Sequence, residues 1–223
     1  MKKILIAVVL SAIYFVAPCQ PCASYFFEPK KIEWLRYNAR GIQDGTLLYT
    51  ISAQSLKNNS SNAAVNVQLY DRNAKLLNTG SYSVKCLGQY INVDMRFFIP
   101  AQQVEQYMSP TAKMKLSFLE YPLHLKAGDQ LKDGYFQMEN DKNGLKQILQ
   151  MRIVQRTVTG TEPVTTAAGA WDCFVITYLL KLNLQTGPIS IPLSIQMTEW
   201  YAPSFGIVKT SSAEGYAEIN SVN

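Results

Sequence analysis

TTAAGAWDCFVITYLLKLNLQTGPISIPLSIQMTEWYAPSFGIVKT, residues 165–210, reads as one long β-hairpin followed by a third strand. Thr165 to Gly169 leads in, and Trp171 to Tyr178 begins the outgoing strand. Gln185-Thr186-Gly187-Pro188 is the turn. On the return, Ile189, Ile191, Leu193, Ile195 and Met197 alternate with Ser190, Pro192, Ser194, Gln196 and Thr198. Successive side chains on a strand point to opposite faces, so this run has one apolar and one polar face. Glu199-Trp200-Tyr201 ends it. Ala202 to Gly206 then bends the chain into Ile207-Val208-Lys209, because proline removes a ladder donor and glycine accepts unusual dihedrals.

The same period recurs outward from the hairpin. Leu145 to Thr159 is a long strand, with Leu149, Met151 and Ile153 on one face and Ile148, Gln150, Arg152 and Val154 on the other. Before it lie Tyr135 to Met138 and Lys113 to Phe118. Nearer the N-terminus, Ile32–Tyr37, Leu47–Ile51, Ala64–Tyr70, Leu76–Cys86 and Tyr90–Phe98 alternate between turn signals. Ser211 to Ile219 reads as a final edge strand. Pro100 to Met108 is the one credible helix, with proline in its first turn and Ser109-Pro110 to stop it. About a dozen short strands with local connections predict an all-β fold. Its expected form is a curved antiparallel sheet or incomplete β-barrel with one short helix. No linker is long enough to split it, so residues 24–223 read as a single domain.

Composition narrows the class. Apolar residues make up 48% and charged residues 17%, which excludes a disordered chain. The formal charge is 21 − 16 = +5 with no Lys/Arg cluster, so no nucleic-acid footprint is present. Met1-Lys2-Lys3 before the apolar run Ile4 to Val16 has the form of a signal peptide, expected to span residues 1–23. The run is short for a spanning helix, so no transmembrane segment is expected after cleavage. Pro18 and Pro21 stand where an acylation signal wants Gly or Ala, which argues against a lipid anchor.

Candidate chemistry is sparse. His124 is the only histidine, and no Gly-x-Ser-x-Gly elbow accompanies it. One histidine with scattered cysteines does not make a zinc shell. Glu139 to Gly144 lacks the terminal glutamate of a calcium loop and carries Lys142 inside it. No phosphate-binding glycine loop is present. Neither a catalytic constellation, a metal site nor a cofactor is therefore expected. Cys19-Gln20-Pro21-Cys22 has redox spacing but sits at the leader's edge. Cys86 ends a strand whose inward residues are Tyr82 and Val84, within reach of an N-terminal segment. A Cys22–Cys86 disulfide follows, with Cys173 as a packed free thiol between Trp171 and Val175.

Several motifs resemble the TapB-like family of exported bacterial proteins of unknown function. They include Cys22 with Tyr25-Phe26-Phe27, Tyr37 and its turn, Tyr82 to Cys86, and Gly128 to Gly134. The most specific are Val164 to Cys173 and Trp200 to Lys209. Trp171 stands where that family more often has Phe, and Ser204 where Gly is common. The family is in turn similar, at the level of fold, to the half-barrels that carry lipoproteins across the periplasm. The resemblance implies a non-catalytic envelope protein, periplasmic or outer-membrane-associated, in a Gram-negative bacterium. Two roles compete. In one, the concave face binds a lipid or other apolar ligand through Leu149, Met151, Ile153, Ile191, Leu193, Ile195 and Met197. In the other, a sheet edge recruits an envelope protein partner without any small ligand.

Overall fold

The computed structural model describes residues 24–28, 30–57, 60–99, 112–115, 117–142, 144–203 and 205–223. The expected signal peptide, Cys22 and the expected helix at Pro100–Met108 lie outside them.

Two meanders build the fold. The first runs β1 (Lys30–Asn38), β2 (Gln43–Lys57), β3 (Ser60–Asp71), β4 (Leu76–Leu87) and β5 (Tyr90–Asp94), each strand pairing with the next. The second runs β8 (Gly134–Lys142), β9 (Leu145–Thr166), β10 (Gly169–Thr186), β11 (Ile189–Ala202), β12 (Gly206–Ser212) and β13 (Gly215–Val222). Between them lie two short strands, β6 (Lys113–Met114) and β7 (Phe118–Pro122). β7 joins β5, and β6 joins β8. The last strand, β13, pairs with the first, β1. The result is one antiparallel, curved sheet of 13 strands with β6 and β7 as its open edges. The all-β expectation holds.

Alternation sorts the side chains as the hairpin predicted. Row by row, Met138, Leu149, Leu184 and Ile191 face one another across β8 to β11. So do Phe136, Met151, Leu182 and Leu193. The first meander answers with Ile32, Trp34, Val65, Tyr82, Val84 and Ile91, all buried. The sheet then curls until its two arms meet. Tyr121 of β7 stacks on Tyr201 of β11, with centroids 5.2 Å apart and planes 11° from parallel. Gly134 of β8 packs against Met95 and Leu119 so closely that a Cβ there would lie 2.6 Å from the Met95 sulfur.

Three local expectations are corrected. Tyr90–Phe98 is strand only to Asp94. Its carboxylate then accepts from the Arg96 N–H and caps a 3₁₀ turn over Met95–Phe98, because Asp favours caps over strand continuation. Lys113–Phe118 is not one strand: β6 and β7 leave toward opposite ends of the sheet. Ser211–Ile219 is not an edge strand. It holds the β12–β13 turn, and β13 lies in the middle of the sheet.

The β13–β1 junction places a specific demand on Gly215. Its φ is +145°, and a Cβ there would sit 2.0 Å from the Tyr37 backbone oxygen. Neither the dihedral nor the contact admits a side chain. Gly215→Ala is expected to destabilise the protein by more than about 2 kcal/mol, read as a lowered urea midpoint with an unchanged slope.

Candidate functional site: a groove on the concave face

The inner face is not filled everywhere. Along the row Met138, Leu149, Leu184, Ile191, exposure runs 1%, 0%, 7% and 51%. The core therefore opens toward the β10–β11 hairpin tip. Away from that tip, beside Tyr178, Leu180, Ile195 and Met197 and near the β12–β13 and β1–β2 turns, a groove of about 280 Å³ lies between the two arms of the sheet. Leu180, Ile195 and Met197 form one wall; Leu47, Tyr49, Val67, Leu69 and Tyr82 form the other. Phe97, Phe98 and Ile99, at and just after the 3₁₀ turn, close its inner end. Phe97 is held there edge-on to Tyr49, 5.6 Å between centroids, and 4.7 Å from Tyr82.

The structure divides the residues proposed from sequence. Ile195 and Met197 line the groove. Leu149, Met151 and Ile153 are fully buried and pack in the solid part of the core. Ile191 and Leu193 stand outside the groove as an exposed apolar strip, with Ile189 beyond them at 64% exposure. The aromatic wall from β2 and β4 was not foreseen. Neither was the rim, where Arg36 and Asp44 form an ion pair at 3.5 Å beside Asn78, Thr79, Ser211 and Ser212. Arg36 continues the inward phase of Ile32 and Trp34, so a charge on an apolar face was the available signal. His124 is exposed on a bend, and the Asp141 carboxylate accepts from the Gly144 N–H as an ordinary turn.

A buried polar cluster lies deeper. Gln155 has φ +57°, and this bulge in β9 aims Arg156 into the core. Arg156 Nη1 donates to the carbonyls of Glu120 (2.9 Å) and Lys132 (3.0 Å), and so bridges the seam between β7 and the segment before β8. Its guanidinium stacks over Tyr121 at 4.7 Å. Tyr121 donates to Glu199 Oε2 at 3.1 Å. Glu199 is fully buried, and its Oε1 has no hydrogen-bond partner among the described residues. Burial pushes the Glu199 carboxyl up to about 7, against the opposing pull of Arg156 and the Tyr121 hydroxyl. Burial and the Glu199 charge also raise Tyr121, Tyr178 and Tyr201. Cys173 is a free, buried thiol pushed up to about 11, again chiefly by burial. Cys86 is fully buried on β4 and is not free.

Other features carry less. A depression of about 710 Å³ at the open seam is walled by Met114, Phe118 and Tyr135 together with Lys113, Lys115, Lys132, Asp133 and Glu139. Among the described residues, no three His, Cys, Asp or Glu gather as a metal site. No helix among them is long and apolar enough to cross a membrane.

A curved, unclosed antiparallel sheet holding an apolar groove in its concave face is the class of protein that fold and site define. The chain belongs to the DUF3108-like family, whose model matches residues 28–222. Two solved structures share the fold. One is a Bacteroides fragilis protein with a YmcC-like fold, considered exported; it is 23% identical, with a TM-score of 0.72 over 91% of this chain and 100% of its own. The other is a Parabacteroides distasonis protein considered a lipoprotein, 19% identical, with a TM-score of 0.74 over 92% of this chain and 100% of its own. Among curated proteins, none matches the chain.

The buried carboxyl makes a pH prediction. Its folded-state pKa lies above its unfolded value, so the folded protein holds a proton that the unfolded chain releases. Stability from this group is complete below about pH 4.5 and falls as pH rises to about 7. The loss amounts to about 3 kcal/mol. Glu199→Gln keeps an acceptor for Tyr121 and should flatten the decline between pH 5 and 7. Urea unfolding at a series of pH values checks it; a variant with the wild-type slope would assign the decline to other groups.

Proposed function

We propose that this is an exported, non-catalytic protein of the cell envelope that holds a lipid or other apolar ligand in the concave groove. The observation that carries the reading is the groove itself. A single core would be expected to fill its interior, whereas here aromatic and aliphatic walls enclose about 280 Å³ of open space. That is near the lower end of the range for small-molecule sites, roughly 300 Å³. Ile191 and Leu193 extend one wall outward as an exposed ramp. The basic and apolar N-terminus, the TapB-like motifs and the more distant likeness to lipoprotein-carrying half-barrels support a periplasmic or outer-membrane-associated site of action. So do the two structural neighbours, one considered exported and the other a lipoprotein.

Delipidated protein should bind a fluorescent fatty acyl probe. Ile195→Trp, which enlarges a side chain on the groove wall, should weaken that binding at least about tenfold with little change in unfolding midpoint, since one kcal/mol-scale contact loss is enough. Unchanged binding in this variant would remove the groove as the site.

A second reading has its own observation. Among the described residues, Ile189–Gln196 of β11 pairs with β10 on one side and with no strand on the other, because β12 reaches only to Met197. A free edge bearing exposed Ile189 and Ile191 can add a strand from a partner. Pro192 weighs against it. Proline has no N–H to give β10, so its nitrogen faces the open side and interrupts the ladder a partner would need.

The mature protein is also proposed to carry a Cys22–Cys86 disulfide. The N-terminal turn is tied down close by: Ser24 Oγ donates to the Phe205 carbonyl at 3.1 Å, and Phe26 packs 5.8 Å from Phe97. Non-reducing peptide mapping should recover Cys22 joined to Cys86 and Cys173 unpaired; a peptide joining Cys173 to either would overturn the assignment.

A further inference from the structure

Basic residues far apart in the sequence meet on the convex face of the second meander. Strand register sets Tyr135, Arg152, Lys181 and Ser194 in one row across β8 to β11. All four are exposed. Their neighbours Phe136, Met151 and Leu182 are buried in the core, so this row lies on the other side of the sheet. Arg152 and Lys181 are therefore direct cross-strand partners of like charge, an arrangement that costs stability.

No acid among the described residues offsets the pair with an ion pair. The adjoining row is Gln137, Gln150, Asn183 and Pro192, all uncharged. On the other side Asp133 accepts from the Gln155 N–H at 3.1 Å. Further out, Glu139 pairs with Lys146 at 2.8 Å and Glu120 with Lys132 at 2.8 Å. Asp141 lies at the β8–β9 turn, opposite Lys146. Lys113 and Lys115, exposed on the wall of the seam depression, add two more cations to this side.

Apolar groups interleave with these charges. Tyr135 is 49% exposed opposite Arg152, and with Met114 and Phe118 it lines the seam depression. At the end of the same strands Leu145 and Ile189 are also exposed. The two turns that carry them are joined, with the Gly187 N–H donating to the Lys146 carbonyl at 2.9 Å. A hydrated polyanion gains nothing from exposed aromatic and aliphatic side chains. A lipid headgroup boundary, with charge outside and hydrocarbon beneath, matches both features.

From this we infer that the convex face of β8–β10 docks on an anionic lipid surface, with Arg152 and Lys181 as its electrostatic contact. Lipid phosphates beside the two side chains relieve their mutual repulsion. The inference does not depend on what the groove holds.

Co-sedimentation with vesicles tests it. The protein should bind vesicles of equal parts phosphatidylcholine and phosphatidylglycerol, and added salt should release it. Pure phosphatidylcholine vesicles should bind at least about tenfold more weakly. Lys181→Glu changes the face by two charge units and should weaken binding about thirtyfold. The same change turns a repulsive cross-strand pair into an attractive one, so its urea midpoint should equal or exceed that of the native protein. Arg72→Glu makes the same change in net charge at the exposed β3–β4 turn and should alter binding by no more than about twofold. Equal binding to pure phosphatidylcholine, native-like binding by Lys181→Glu, a lowered midpoint in that variant, or an equal loss in Arg72→Glu would each overturn the inference. So would binding to dextran sulfate without binding to the anionic vesicles, which would make the partner a soluble polyanion.

Discussion

The pairing of β13 with β1 is the constraint on which the rest depends. Trp34 lies opposite Ile219, and Arg36 opposite Ala217. The Lys31 N–H and Asn223 carbonyl meet at 2.7 Å, and the reciprocal bond is 2.9 Å. Without this junction the chain would be two separate meanders, each with one apolar face turned to water. With it, the β1–β4 wall and the β10–β11 wall become opposite sides of one hollow. The junction also joins nearly the first described residue to the last. Loop-closure entropy makes such contacts late to form. The groove is therefore expected to take shape only at the end of folding.

Polar groups on the inner face sit where neither packing nor the ladder can complete the structure. Arg156 spans the seam left open by the divergent paths of β6 and β7, and its two carbonyl contacts stand in for strand pairing. Glu199 balances it electrostatically, but burial keeps the carboxyl poised between its two forms. Removing either partner would strand the other in the core. Arg36 and Asp44 occupy a different situation. They are partly exposed at the rim, and their ion pair is loose at 3.5 Å. The first pair braces the core; the second lies at the mouth of the groove.

Much of this architecture was legible in the sequence because one signal dominates it. The strict alternation of Ile189 to Met197 gave the hairpin and its apolar face; its register against Leu180, Leu182 and Leu184 came from the structure. The strand ends were less legible. Tyr90–Phe98 keeps its alternation past Asp94, yet the Asp94 side chain caps a 3₁₀ turn instead. The site was half legible. Ile195 and Met197 line the groove, but Leu149 through Ile153 have the same pattern and are solidly packed. Period alone reports which face a residue is on, not whether something stands opposite it. That depends on the curl of the sheet, which brings Tyr82 and Phe97 across from Ile195 although they are far apart in the chain. Arg36 and Glu199 did break the apolar phase of their strands, and those breaks mark the two polar sites.

The bulge at Gln155 gives β9 a property that no side chain could supply. Before it, Leu149, Met151 and Ile153 face inward; after it, Arg156 and Val158 do. Odd-numbered positions hand the interior over to even-numbered ones across a single residue. The strand is thus read in two frames, and Gln155 is the frameshift between them. Its side chain matters little, but its presence as a counted unit matters a great deal. Losing that one residue would turn Arg156 and Val158 out to solvent, whereas exchanging it for another residue able to hold the same backbone would leave every later side chain in place. Along this strand the length of the chain is under tighter physical control than its spelling.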